Sequence, residues 1–113
     1  MKVLIAGSRG FYDYERLCQA MKTQVTAVTE VVSGGARGAD QLGERWARKM
    51  DIPCTLFLAD WNTYGKSAGY KRNVQMAEYA EGLIALWDGV SRGTKHMIDI
   101  MRGLRKPVRI VRV

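Results

Sequence analysis

Short apolar runs alternate with longer stretches in which apolar residues recur every three or four positions, and this alternation repeats along the whole chain. Residues 2–6 are nearly continuously apolar, as expected of a strand buried on both faces. Tyr14, Leu17, Cys18 and Met21 then fall at helical spacing, with Asp13 placed to cap that helix and Glu15 in its first turn. Residues 30–33 read as a short second strand. A second helix opens at Ala39 or Asp40 and carries Leu42, Trp46 and Met50 at steps of four. Pro53 closes that connection, and 54–58 is a third strand.

Residues 59–69 read as a polar loop. A third helix covers roughly 68–80, with Tyr70, Val74 and Ala77 facing inward, and Gly82 breaks it. Residues 83–87 form a fourth strand. Thr94 is placed to cap a fourth helix that buries Met97, Ile98, Met101 and Leu104, before Gly103 and Pro107 end it. Residues 108–113 form a fifth strand, whose interleaved Arg109 and Arg112 suit a sheet edge. The β-α-β-α-β-α-β-α-β order predicts one Rossmann-like α/β domain over residues 1–113, a three-layer fold. Its five-stranded parallel sheet has helices on both faces, right-handed crossovers and strand order 3-2-1-4-5. The switch point then lies between the first and fourth strands, where such folds bind ligands.

Three glycine-rich turns follow predicted strands: Gly7-Ser8-Arg9-Gly10, Gly34-Gly35-Ala36-Arg37-Gly38-Ala39-Asp40 and Gly89-Val90-Ser91-Arg92-Gly93-Thr94. Each carries an arginine. A strand that ends in glycines and feeds a helix offers close backbone approach, free N–H groups and a positive dipole end to an anion. Three such turns at one sheet edge argue for a nucleotide or a similar phosphorylated ligand.

Composition narrows this reading. With 113 residues, 47% hydrophobic and 26% charged, the chain is an ordinary globular domain rather than a disordered one. No apolar run approaches the ~20 residues of a membrane span, and the apolar start reaches Gly7 too soon for a signal-peptide core. Cys18 and Cys54 are too few for a disulfide framework and read as buried free thiols, which makes a cytoplasmic location the default. The net charge of +7 favours anionic partners, nucleotides or nucleic acid among them, but its basic residues are spread out and no aromatic-basic repeat accompanies them.

Several familiar motifs fail. The first turn does not fit G-x-G-x-x-G, and the second strand ends in Gly34-Gly35 where a dinucleotide-binding domain places an acid for the ribose. Gly65-Lys66-Ser67 resembles a P-loop tail, but the position of its first glycine holds Asp60. One histidine and two distant cysteines do not make a zinc site of usual spacing, so no metal is expected.

The segments Val3-Leu4-Ile5-Ala6-Gly7-Ser8-Arg9, Ser33-Gly34-Gly35-Ala36-Arg37-Gly38-Ala39-Asp40, Ala59-Asp60-Trp61, Ala68-Gly69-Tyr70-Lys71-Arg72-Asn73 and Trp87-Asp88-Gly89-Val90-Ser91-Arg92-Gly93-Thr94 resemble the YspA-like, YpsA-related branch of the SLOG superfamily. The resemblance runs almost end to end. It implies a compact Rossmann-like fold that binds nucleotides or nucleotide-derived ligands, in a bacterial or phage protein. The superfamily includes the LONELY GUY phosphoribohydrolases and the single-strand-binding DprA. The phosphoribohydrolases carry a P-G-G-x-G-T-x-x-E type motif after the fourth strand; here the glutamate position holds Met97, which removes the most obvious acid for base cleavage.

The candidate ligand-binding residues follow the turns. The first contributes Gly7, Ser8 and Arg9; the second Gly34, Gly35, Gly38, Asp40 and Arg37 as a phosphate fork. The 59–69 loop contributes Asp60, Trp61 and Lys66, with the aromatic ring available to a base. Arg72 and Asn73 sit in the first turns of the third helix, where a cation opposes the dipole; binding or a salt bridge to Asp60 or Asp88 explains it. The last turn contributes Asp88, Gly89, Ser91, Gly93 and Thr94. The leading expectation is a sensor, carrier or sequestering protein for a bound nucleotide. Hydrolysis of a small nucleotide, with Asp40, Asp88, His96 or Asp99 as acid or base, is one alternative, and single-stranded nucleic-acid binding is another. A homodimer is a further expectation.

Overall fold

A computed structural model describes residues 1–23 and 27–113. Its elements run β1 (Lys2–Gly7), α1 (Tyr14–Lys22), β2 (Glu30–Ser33), α2 (Ala39–Lys49), β3 (Cys54–Leu56), α3 (Trp61–Tyr64), a 3-10 turn (Gly65–Ser67), α4 (Ala68–Tyr79), β4 (Gly82–Trp87), α5 (Arg92–Gly103) and β5 (Val108–Arg112). The five strands form one sheet in the order β3-β2-β1-β4-β5. Each neighbouring pair is parallel, with Val3 opposite Val31 and Ile5 opposite Ile84. This is the Rossmann-like α/β architecture that the alternating pattern predicts.

The period of two along β1 sorts its side chains between the two faces. Val3 and Ile5 join Leu17, Leu42 and Trp46 beneath α1 and α2. Leu4 joins Met76, Met97 and Met101 beneath α4 and α5. The side chain of Asp13 accepts the N–H of Arg16 at 3.1 Å, so α1 starts on its expected cap. Among the described residues no helix is long and apolar enough to cross a membrane.

Several local expectations are corrected. The 59–69 stretch is not a plain loop: Asp60 accepts the N–H of Thr63 at 3.1 Å and starts α3, which runs through the 3-10 turn into α4. β3 stops at Leu56 rather than residue 58, and β4 begins at Gly82, whose backbone pairs with Val3. On α4 the buried face is Ala68, Asn73, Met76 and Ala77, while Tyr70 is 61% exposed. Tyr70 faces α5 from the rim of the sheet and stacks on His96, ring centres 4.3 Å apart. Met50 and Leu104 are also exposed, because each is the C-cap residue where the chain leaves its helix face. Thr94 does not cap α5 but lies in its first turn, buried; Ser91 holds the cap position. Cys18 and Cys54 are free thiols, half-buried rather than buried.

Candidate functional site

The carboxyl ends of β1 and β4 lie side by side at the centre of the sheet, and the chain leaves them in opposite directions. A cleft of about 600 Å³ opens there. Its floor is the end of β1, one wall is the start of α5, and the other is α4 with the start of α2. Ser8, Asp88 and Ser91 form a linked polar floor. The N–H of Asp88 donates to Ser8 Oγ at 3.2 Å, and the Ser91 hydroxyl donates to Asp88 Oδ2 at 3.0 Å. Phe11, Met76 and Met97 supply apolar wall.

The glycine turns do two different things. Gly7 and Gly38 are spent on packing. A Cβ on Gly7 would stand 2.3 Å from the Leu86 carbonyl, and one on Gly38, at φ +79°, would stand 2.4 Å from the Ser8 carbonyl. These glycines let the first two turns lock together through the bond from the N–H of Ala39 to the Ser8 carbonyl. Gly93 is the opposite case: a Cβ there meets nothing within 4 Å, so the first turn of α5 borders open space in the cleft.

Several of the turn amides expected to face a ligand already have partners. Asp88 Oδ1 accepts the N–H groups of Val90 and Ser91, both at 2.8 Å. These bonds hold its carboxyl down at about 2, so it is a fixed anion at the start of α5. In the second turn the N–H of Gly35 donates to Ser33 Oγ and that of Ala36 to Asp40 Oδ2, each at 3.2 Å. Asp40 is buried, and desolvation pushes its carboxyl up to about 6 despite the Ala36 N–H and the nearby Arg72.

Arg72 does not pair with Asp60 or Asp88. It reaches from α4 to the end of β2, where Nη1 donates to the Gly34 carbonyl at 2.9 Å; its Nε is buried with no hydrogen-bond partner among the described residues. Asn73, one residue on, donates from Nδ2 to the Gly93 carbonyl at 3.3 Å and lies 3.2 Å from His96 Nδ1. It thereby ties α4 to the first turn of α5. His96 is held below its ordinary range by burial, partly opposed by Asp99.

A second cavity of about 430 Å³ adjoins the first, on the far side of Arg9 and Arg72. Gly34, Gly35, Arg37 and Leu58 also line it. Of the residues that the sequence marks, the two cavities bring together those of the first turn, most of the second, Arg72, Asn73, and Asp88, Ser91, Gly93 and Thr94. Gly38, Asp60, Trp61, Lys66 and Gly89 line neither cavity. Trp61 lies over Gly69 at the start of α4, and Gly89 packs against the Arg112 guanidinium. Of the weak acid-base candidates, Asp40 and Asp88 line the cleft. His96 and Asp99 do not, and Asp99 pairs with Lys95 at 2.9 Å. Sequence reasoning missed Phe11, Met76, Arg92 and Leu58. Met76 was within reach, since it stands one helical turn beyond Arg72 and Asn73. Among the described residues no cluster of His, Cys, Asp or Glu forms a metal centre.

This geometry defines a Rossmann-like α/β domain with an open cleft at its switch point. The chain belongs to the YspA, cpYpsA-related SLOG family, whose model matches residues 1–64, from β1 through α3. The gene 61 protein of Mycobacterium phage D29 is 38% identical over 104 residues, 84% of this chain and 83% of its own length. No solved structure gives a significant match.

Proposed function

We propose that the switch-point cleft binds a nucleotide or a nucleotide-derived phosphorylated ligand, and that the protein acts as its sensor, carrier or sequestering partner inside the cell. The observation that carries this reading is the cleft itself. It is large enough for a nucleoside, and it combines apolar walls with convergent hydroxyls, carboxylates and arginines. SLOG membership supports nucleotide-related binding at a coarse level. Met97 supports binding without base cleavage: at the position of the phosphoribohydrolase glutamate it is 1% exposed and packed into the core.

Thermal unfolding against nucleoside mono-, di- and triphosphates, dinucleotides, cyclic nucleotides and a short single-stranded oligonucleotide tests the reading. A ligand at 100 times its Kd adds about 2.7 kcal/mol, a shift on the order of 10 °C for a domain of this size. Stabilisation by one small nucleotide is expected. No shift with any member of the panel overturns the proposal, and a shift with the oligonucleotide alone replaces it with nucleic-acid binding.

One observation favours a second reading, hydrolysis of the bound nucleotide. Asp40 is a buried carboxyl in the cleft wall whose proton is held up to about 6, the range a general acid needs. Release of free base or phosphate on incubation, abolished in Asp40→Asn, is the expected signature.

A further inference from the structure

The two adjoining cavities differ in charge. The main cleft holds Asp40 and Asp88 as well as Arg9, Arg72 and Arg92. The second cavity is lined by Arg9, Arg37 and Arg72 and by no carboxylate. Arg9 and Arg72 border both, so they form the sill between them.

We infer that the two cavities are one bipartite site for a nucleoside 5′-diphosphate or its esters, with the nucleoside in the main cleft and the phosphate chain crossing the Arg9–Arg72 sill toward Arg37. The inference rests on the nucleotide-binding reading above and adds the ligand's class and its orientation.

Three features fix that orientation. First, the α5 end of the main cleft already holds an anion. The Asp88 carboxylate takes the Val90 and Ser91 amides and repels a second anion beside it. A carboxylate and hydroxyls suit a ribose, which donates hydrogen bonds and carries no charge. Second, the amides of Gly35 and Ala36 are taken by Ser33 and Asp40, which leaves the guanidinium groups of Arg9, Arg37 and Arg72 as the charged donors of the second cavity. Third, Arg72 lines both cavities and its Nη1 is fixed on the Gly34 carbonyl, which holds the guanidinium at the sill. A monophosphate on a nucleoside in the main cleft reaches only the sill. A second phosphate is needed to enter the cavity that Arg37 lines.

Calorimetric titration with the 5′-mono-, di- and triphosphates of adenosine, guanosine, cytidine and uridine, and with a nucleoside diphosphate sugar, tests this on the full chain. For the base that binds, the diphosphate is expected to bind about tenfold tighter than the monophosphate or better, since it adds charge-assisted bonds. Arg37→Gln is expected to bring the two constants together; Arg37 is exposed, and unfolding confirms that the variant is folded. A triphosphate or diphosphate sugar that matches or exceeds the diphosphate supports the inference and identifies the group beyond the second phosphate. Equal affinity for mono- and diphosphate, a gain that survives Arg37→Gln, or weaker binding of every extended ligand overturns it while nucleotide binding stands. No binding by any of the series also overturns it, and the dinucleotides and cyclic nucleotides of the unfolding panel then decide whether nucleotide binding stands.

Discussion

The carbonyl of Ser8 accepts the N–H of Ala39 at 3.2 Å, and it would lie only 2.4 Å from a Cβ on Gly38. The first and second turns are thus in backbone contact, and only glycine at φ +79° permits it. Gly38→Ala must move a backbone carbonyl and adopt a left-handed conformation. It is expected to lose about 3 kcal/mol of stability in urea unfolding. Gly10→Ala serves as control: its Cβ meets nothing within 4 Å, and the change should stay within about 0.5 kcal/mol.

Asp40 makes stability depend on pH. Its carboxyl rises from 3.8 to about 6 on folding, so the folded chain holds a proton that the unfolded chain releases. The corresponding stability is complete below about pH 4 and is lost as pH rises through about 6, to a total of at most about 3 kcal/mol. Urea unfolding between pH 4 and 7.5 should show this decline in the native chain and its absence in Asp40→Asn. An Arg72→Met variant, lacking the neighbouring cation, should move the window to higher pH.

Gly93 separates binding from folding. It lies in the first turn of α5 and borders open space. Gly93→Ala should leave stability unchanged or raise it by up to about 1 kcal/mol, because alanine is the better helix residue. The added methyl group sits on a residue that lines the cleft, so affinity for the stabilising nucleotide should fall. A variant that binds normally would exclude this end of the cleft from the ligand site.

Lys106 holds the C-terminus of α4. Its ammonium donates to the carbonyls of Ala77, Glu78 and Ala80 at 2.7, 2.9 and 2.7 Å. These are carbonyls that a helix end leaves without partners, and the charge complements the dipole. Lys106→Met should cost about 2 kcal/mol in urea unfolding, with little effect on ligand affinity, since the lysine lines neither cavity.

The architecture was legible in the chain because its signals are local. Continuous apolar runs, helical spacing and glycine punctuation depend on residues within a turn or two of each other. They predicted the five strands and the four longer helices, and the βα alternation they spell out led to the 3-2-1-4-5 order of a doubly wound sheet, which the structure has. The errors fell where an element's end or its covered face depends on a neighbour. Tyr70 fits an inward helical stripe, yet α4 turns Asn73 and Met76 inward, Met76 joining Leu4 and Val32 of the sheet, and leaves Tyr70 exposed against His96.

At the cleft the division is sharper. The sequence by itself determined which turns meet at the sheet's carboxyl edge, since strand order brings them there. Some of the groups that occupy the turns are local, Asp88 for the Ser91 amide and Ser33 for the Gly35 amide, within three positions. Tertiary structure decided the rest, as where Ser8, 80 positions away, takes the Asp88 N–H. The roles of Gly38, packed against a carbonyl, and Gly93, facing open space, are indistinguishable in a string of letters. The difference lies in what stands opposite each one, and only the folded chain brings those atoms within a few ångströms.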